Sequence, residues 1–402
     1  MRKFVNNLSW SFVGNFVLAF SQWFVVFLLT KYAEPDLLGM YSAVMIVISP
    51  SFMFLSFGLK SQIASDYNQK FKLSTYYLLK LLTTAVSIVV VLSFFVLRDR
   101  ATILLMAIFI LGQKFFDSLS EVNQGKNVRD NKIKEIGQSL MTRGGALAVL
   151  SSVIIIFISP VYFPLAMLVA SAISFFLFDY YPKSVFSAFR AKWSEVYLVI
   201  RKVLPLGVAL GIISLNSNLL KIIIEDYLDY KLLGVYTALI YFLAIGGQFY
   251  KSIVDGMYPY FVKYYNEKNI SRFSSVLLGN LGGLLLVSLA FILVVNFWGE
   301  EVLSFVYSPI YGEYSYVFQW IAIASIPIYA NAVLGSCLTS IQVYKPQIFG
   351  NLINMLVSGV FGVLLIPKFG LLGAVYALII GHFSQLVFNL IVLLNKIWWL
   401  KR

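Results

Sequence analysis

The sequence predicts an all-α, polytopic membrane protein, with about 12 transmembrane helices in two parallel six-helix bundles. Three observations predict it. Of 402 residues, 60% are hydrophobic and only 12% charged, against about 25% charged in soluble proteins; the mean hydropathy is +0.83. Apolar stretches of roughly 20 residues, each long enough to cross about 30 Å of hydrocarbon, recur along the whole length. Finally, "LLGMYSA" at Leu37–Ala43 returns as "LLGVYTA" at Leu232–Ala238, with Tyr32 and Tyr227 at matching places upstream.

Taken in order, the apolar stretches place spans at Trp10–Thr30, Gly39–Phe57, Tyr76–Leu97, Ile103–Leu119, Leu140–Ile158 and Phe163–Phe178. A second set follows at Leu204–Ile224, Leu233–Ile253, Val276–Trp298, Val317–Ile341, Ile348–Ile366 and Leu372–Leu394. Around Pro327 the pattern allows either one kinked helix or two short ones. "MRKFVNN" leads into the first span without a small-residue cleavage site, so it reads as a helix and not a removed leader.

Lys and Arg in short loops set the orientation. With the N-terminus inside, inner segments hold Lys126, Arg129, Lys132 and Lys134; Lys183, Arg190, Lys192, Arg201 and Lys202; Lys263, Lys268 and Arg272; and Lys396, Lys401 and Arg402. Outer loops hold only Lys31, Arg98, Arg100, Lys231 and Lys368, and also Glu300, Glu301 and Glu313. Both termini are therefore expected on the cytoplasmic side. The net charge of +13 follows from this bias and needs no nucleic acid partner. The single cysteine, Cys337, excludes an intrachain disulfide and a cysteine metal cluster.

An even number of spans in each half makes the repeat parallel, with an axis along the membrane normal. The expected lobes are residues 1–200, with a cytoplasmic linker from about 179, and residues 201–402. Gly39 and Gly234 are expected to let the chain turn into the second helix of each half, with Tyr41 and Tyr236 at interfacial depth.

Ionisable groups in hydrocarbon cost roughly 2.5–3.5 kcal/mol each on insertion scales, so each needs a reason. Arg143 in "SLMTRGGALAVLSS" lies too deep to reach the surface easily, and "RGG" leaves backbone room for a neighbour or ligand. Lys114 has Asp117 one turn away, a spacing that suits a neutralised pair. Lys221 in "NSNLLKIIIED" has Glu225 one turn away, and the equivalent helix of the first half carries Val26 in its place. Asn15, Ser21 and Gln22 in the first span and Asn216, Ser217 and Asn218 in the seventh make these equivalent helices polar at similar depth. Arg143 and Lys221 are expected to face one central cleft. A cationic, amide-rich interior suits an anion with many hydroxyls, such as a sugar diphosphate. His382, the only histidine, is a packing residue or a proton carrier.

No GxxxxGK[ST] occurs, so the chain has no P-loop for ATP. No HExxH or paired-carboxylate motif stands on an extramembrane domain. No cofactor is expected, and transport would use the substrate's own gradient or H⁺ or Na⁺ coupling, for which Asp117 and His382 are the first candidates.

These residues carry a family resemblance. The chain resembles the Wzx-type oligosaccharide-lipid flippases of the multidrug/oligosaccharidyl-lipid/polysaccharide (MOP) exporter superfamily. The markers are "YAEPDLLGMYSA", "FGLKSQIASDY", "DSLSEVNQGKNVRDNKIKEIGQSLMTRG" and "NSNLLKIIIEDYLDYKLLGVYTALIY". The third is similar to the family's acidic residue, Gln, basic loop and Gly-followed Arg, which places those roles on Asp117, Gln124 and Arg143. The fourth is similar to its Asn-x-x-basic element, at Asn218 and Lys221, although the family more often has Pro-Arg where this chain has Leu220-Lys221.

The resemblance implies transfer of undecaprenyl-diphosphate-linked oligosaccharide repeat units across the bacterial cytoplasmic membrane by alternating access. It also implies service to capsule, O-antigen or exopolysaccharide synthesis beside a polymerase and glycosyltransferases. A drug/cation antiporter of the same superfamily is the nearest alternative; it would need embedded carboxylates where this sequence has mostly cations. A major facilitator's GxxxDRxGR motif is missing from "FGLKSQIASDYNQKFK". A membrane polysaccharide polymerase would want a large outer catalytic loop, and the longest here, "GEEVLSFVYSPIYGEY", is short.

Overall fold

The structure is a computed structural model of the full chain. It describes all residues except 1, 99, 181–187, 190, 344 and 402. Lys183, Ser187 and Arg190 of the expected linker lie outside the described residues. Among those described there is no strand, and 12 helical segments are long and apolar enough to cross a membrane. All twelve coincide with the spans read from the sequence. The protein is a multi-pass membrane protein.

The chain divides into two compact units, Met1–Leu215 and Asn216–Arg402. The first contains α1 (Arg2–Tyr32), α2 (Pro35–Ser56), α3 (Leu59–Ser65), α4 (Leu73–Leu97), α5 (Ala101–Arg129), α6 (Ile133–Val153) and α7 (Phe163–Ser174). Helices α6 and α7 each run on into a wide π turn, Ile154–Ile158 and Phe175–Asp179. Helix α8 (Trp193–Tyr227) begins in the first unit. The second unit contains α9 (Tyr230–Asn266), α10 (Ile270–Val306), α11 (Ser315–Ser340), α12 (Lys345–Phe369) and α13 (Leu371–Lys401).

The heptapeptides begin inside helices. Pro35 starts α2 behind Glu34, and Asp229 caps α9 by accepting the Leu232 N–H at 2.7 Å. Gly39 and Gly234 are thus buried helical residues, one turn past the bend expected of them. Pro and Asp, which set helix starts by fixing φ and satisfying an orphan N–H, make the turn instead. Tyr41 stacks edge-on to Phe163, and Tyr236 is buried. Pro327 sits within one unbroken helix, α11.

Small residues bring helices together in both units, the usual means in a membrane, where apolar side chains gain little by leaving lipid. In the first unit α1 lies on α6: a Cβ at Gly137 would meet the Trp10 carbonyl oxygen at 2.6 Å, and one at Gly144 would meet Leu18 Cα at 3.0 Å. In the second unit α12 and α13 form a tight hairpin after Gly370, whose φ of +57° suits glycine. Gly381 of α13 faces Asn354, where a Cβ would also lie 2.7 Å from Ser358 Cβ. Tyrosine hydroxyls fix α9 to its neighbours, Tyr307 donating to the Ala238 carbonyl at 2.9 Å and Tyr329 to that of Leu243 at 2.8 Å.

Candidate functional site: a polar seam in the first unit

Helix α5 carries Gln113, Asp117, Ser120, Gln124 and Asn127. At about 100° per residue these fall within an arc of roughly 80°, so one face of a membrane helix is polar for roughly 21 Å. Each neighbour contributes charge to that face or its edge. Arg143 of α6 donates from Nη1 to Asp117 Oδ1, and Gln113 Nε2 donates to Asp117 Oδ2 at 3.3 Å. Arg143 and Asp117 side chains are only 17% and 19% exposed. Lys80 of α4, 3% exposed, reaches Glu121 at 2.6 Å. Lys60 of α3 donates to Gln124 Oε1 at 2.8 Å.

Lys60 arrives through a break in the backbone. Phe57 and Gly58 both take positive φ, 52° and 58°, which ends α2 and restarts the chain as α3. Helix α3 then lies directly on Gly125 of α5, where a Cβ would sit 2.9 Å from the Lys60 carbonyl oxygen. Gly125→Ala is therefore expected to push α3 away and lengthen the Lys60–Gln124 bond. Overpacking of this kind costs about 1–3 kcal/mol. The control is Gly145→Ala, since nothing lies within 4 Å of a Cβ there. Melting of the purified protein should drop for the first and hold or rise for the second; equal shifts would contradict this packing.

At one end of the seam the π turn Phe175–Asp179 delivers Asp179. Its Oδ2 accepts from Ser139 Oγ at 2.7 Å, and its carbonyl accepts from Asn123 Nδ2. Ser174 Oγ donates to the Ser139 carbonyl at 2.8 Å. Several buried amide atoms on α5 have no protein partner: Gln113 Oε1, Asn123 Oδ1, and both polar atoms of Asn127. Unpaired buried polar atoms are costly, and in a native protein they mark places where water or a ligand completes the bonding.

Two expectations change. Asp117 pairs with Arg143 of the next helix and not with Lys114: Arg143 takes its Oδ1 and Gln113 its Oδ2, so both carboxylate oxygens are engaged, and no ion pair joins Asp117 to Lys114 among the described residues. Arg143 accordingly has a carboxylate partner, where the sequence offered none on its own helix. The glycines after it divide the expected role, Gly144 making room for α1 and Gly145 facing open space. The ionic pairing is also more even than the sequence suggests, with Lys60, Lys80 and Arg143 set among Asp117, Glu121 and Asp179. The positive surplus rests on Lys114 and Lys221, which form no ion pair among the described residues.

Lys221 and Asn218 lie in the second unit. Lys221 is half-buried. Among the described residues it is joined to no carboxylate in an ion pair, and the ridge beside it, Leu219, Leu220 and Ile223, packs onto Gly359 and Gly362 of α12. His382 joins a separate amide network among α11, α12 and α13. Its Nδ1 lies 3.4 Å from Asn354 Nδ2, and its carbonyl accepts from Asn331 at 2.8 Å. Asn354 donates to Gln385 at 3.1 Å, Gln385 to Asn351 at 3.0 Å, and Asn389 to Asn331 at 3.0 Å.

Sequence reasoning missed Lys60, Lys80, Glu121 and Asp179. Lys60 and Glu121 lay within the marker stretches, but only the backbone break aims Lys60 at α5. The stripe on α5 was a legible signal. A cavity of about 480 Å³ is lined only by apolar side chains of α5, α7 and its π turn, and takes no part in this chemistry.

No protein-family model matches the chain. It is 25% identical over 394 residues to a capsular polysaccharide biosynthesis protein, CapF, of Staphylococcus aureus, covering 95% of this chain and 97% of that one. Among solved structures it is similar to an inward-facing multidrug resistance MATE family transporter of the MOP superfamily. That match has TM-score 0.77 at 14% identity and covers 97% of this chain and 99% of that one. It is equally similar to the lipid II flippase MurJ in an inward closed conformation, TM-score 0.77 at 12% identity, over 95% of this chain and 87% of that one. The chain has the fold of MOP-superfamily transporters, as its resemblance implied, and its relative is a capsular polysaccharide protein.

Proposed function

We propose that this protein is a flippase that moves undecaprenyl-diphosphate-linked oligosaccharide repeat units across the bacterial cytoplasmic membrane by alternating access, for capsule or a similar polymer. The observation that carries the reading is the seam: Arg143 held at membrane depth by Asp117, beside buried amides with no protein partner. A diphosphate competes with Asp117 for the guanidinium, which offers it a planar fork of donors. Amides on α5 supply hydrogen bonds to hydroxyls. The relation to CapF and the fold shared with MurJ support the assignment. Lys114, Lys221, Asn218 and Gln124 are proposed as further substrate contacts, and Asp117 and His382 as the groups through which an H⁺ or Na⁺ gradient would act. Polymerase and glycosyltransferases are the proposed neighbours in the bilayer.

The multidrug reading keeps one supporting observation, the carboxylates Asp117, Glu121 and Asp179 within the seam. Exporting cells separate the two readings. The flippase reading expects a deletion strain to lose surface polymer and keep its tolerance of cationic dyes; unchanged polymer with dye sensitivity supports the exporter.

The proposed orientation has both termini in the cytoplasm. Cysteines placed at exposed Lys132 and Glu313, in a Cys337→Ala background, test it. A membrane-impermeant maleimide added to intact cells should label Glu313→Cys and miss Lys132→Cys. Labelling of Lys132→Cys from outside would reverse the orientation.

A further inference from the structure

The short loop between α3 and α4, "DYNQKFK", is built around Asp66. Its Oδ1 accepts the Lys70 N–H at 3.0 Å. Its Oδ2 accepts the Phe71 N–H at 3.3 Å and the Tyr76 hydroxyl at 3.1 Å. Gln69 takes a positive φ of 47° to close the turn. Burial opposes ionisation of Asp66, but the backbone donors, the Tyr76 hydroxyl and the Lys202 charge outweigh it and hold its carboxyl below the usual carboxylate range. The loop is thereby fixed in one shape at neutral pH.

That shape buries Phe71 in a core shared with Val196, Val199 and Val203 of α8. Thr75 Oγ1 donates to Glu195 Oε2 at 2.8 Å and ties the start of α4 to the same helix. Arg201 and Lys202 are thus carried to Lys70. Together with Phe71 and Leu198 these three cations line a cavity of about 300 Å³. The loop joins the end of one candidate span, Pro35–Ser65, to the start of another, Leu73–Leu97, so it lies at a membrane surface. Trp193 and Tyr197 stand exposed on the neighbouring turns of α8, as aromatic side chains do at headgroup level.

We propose that this cavity is a docking site for a lipid-borne diphosphate at the membrane surface. The proposal rests on the flippase reading for its choice of lipid. Three cations less the Asp66 carboxylate leave a surplus of two positive charges. A singly charged phosphodiester leaves that surplus half unmatched, whereas a diphosphate meets it. Phe71 and Leu198 offer an apolar wall to the first isoprene units. The site lies apart from the seam: Lys70, Arg201 and Lys202 are exposed, and none of them bonds to a seam residue among the described residues.

The test uses the full chain in phosphatidylcholine nanodiscs, titrated with undecaprenyl diphosphate. The Arg143→Met/Asp117→Leu protein, which lacks the seam's charges, should still bind one equivalent. Adding Lys70→Gln, Arg201→Gln and Lys202→Gln should weaken that binding about a hundredfold, as expected of three surface cations. Replacing Lys70 and Lys202 by Arg, and Arg201 by Lys, should retain it. The proposal is overturned if the glutamine variant binds as tightly as its parent, if the seam-less protein binds nothing, or if phosphatidylglycerol displaces the probe at equal concentration. Polymer export that survives deletion of the chain, with the cavity still binding the probe, would instead remove the functional reading and leave the site standing.

Discussion

Arg143→Ala is expected to slow polymer export by about ten- to hundredfold and to destabilise the protein by about 3 kcal/mol. The stability loss comes from stranding Asp117, because breaking one half of a buried ion pair leaves an uncompensated charge. Replacing both members with apolar residues, Arg143→Met with Asp117→Leu, should recover most of the melting temperature while export stays as slow as in Arg143→Ala. That separation tells a structural pair from a working one. Loss of a charge-assisted contact of about 1.5–3 kcal/mol corresponds to roughly ten- to hundredfold in rate. Arg143→Lys keeps the charge without the fork and should fall between. Asp117→Asn should free the guanidinium, so substrate binds more tightly while turnover falls. Full export by the Met/Leu double variant in a deletion strain would make the pair structural and nothing more.

Gly137→Val is expected to cost at least as much in stability, by a different route. A Cβ there would already lie 2.6 Å from the Trp10 carbonyl oxygen and 3.2 Å from Trp10 Cβ. The nearest obstacle is backbone, which cannot swing aside like a side chain. Overpacking costs about 1–3 kcal/mol and more where the backbone must shift. Helix α6 would move off α1 and take Arg143 with it. The expected result is poor recovery of folded protein, with the little that folds inactive. Wild-type yield and melting temperature would show that α1 does not lie on α6 at this point.

How far the sequence carries the reader differs by level. All twelve spans were legible, because hydrocarbon thickness imposes a length and an apolar content that composition cannot hide. Glycine roles were less so: Gly39 and Gly234 were read as turns, yet both lie buried in helices, and Pro35 and Asp229 set the bends. The site was legible in its parts. Arg143 stood out as a costly group at membrane depth, Asp117 as a carboxylate beside Lys114, and Gln124 through the family resemblance. Their pairing did not, because an Arg–Asp contact between α5 and α6 depends on how two helices face each other, and sequence spacing reports only neighbours on one helix. Lys60 and Lys80 were hidden for a related reason. Each sits near the end of a span, where a lysine ordinarily reaches water. Only the break at Phe57–Gly58 and the burial of Lys80 turn them toward α5. The amide network around His382 needs three helices to assemble, and a lone histidine in the sequence gave no hint of its partners.

The most direct test of the central claim is where the lipid-linked repeat unit accumulates in cells lacking this chain. In spheroplasts of a deletion strain that makes the oligosaccharide, the undecaprenyl-diphosphate-linked unit should build up on the inner leaflet, protected from an added impermeant lectin, and the wild-type chain should restore its outward appearance. A repeat unit that reaches the outer leaflet at the normal rate without the chain would contradict the account.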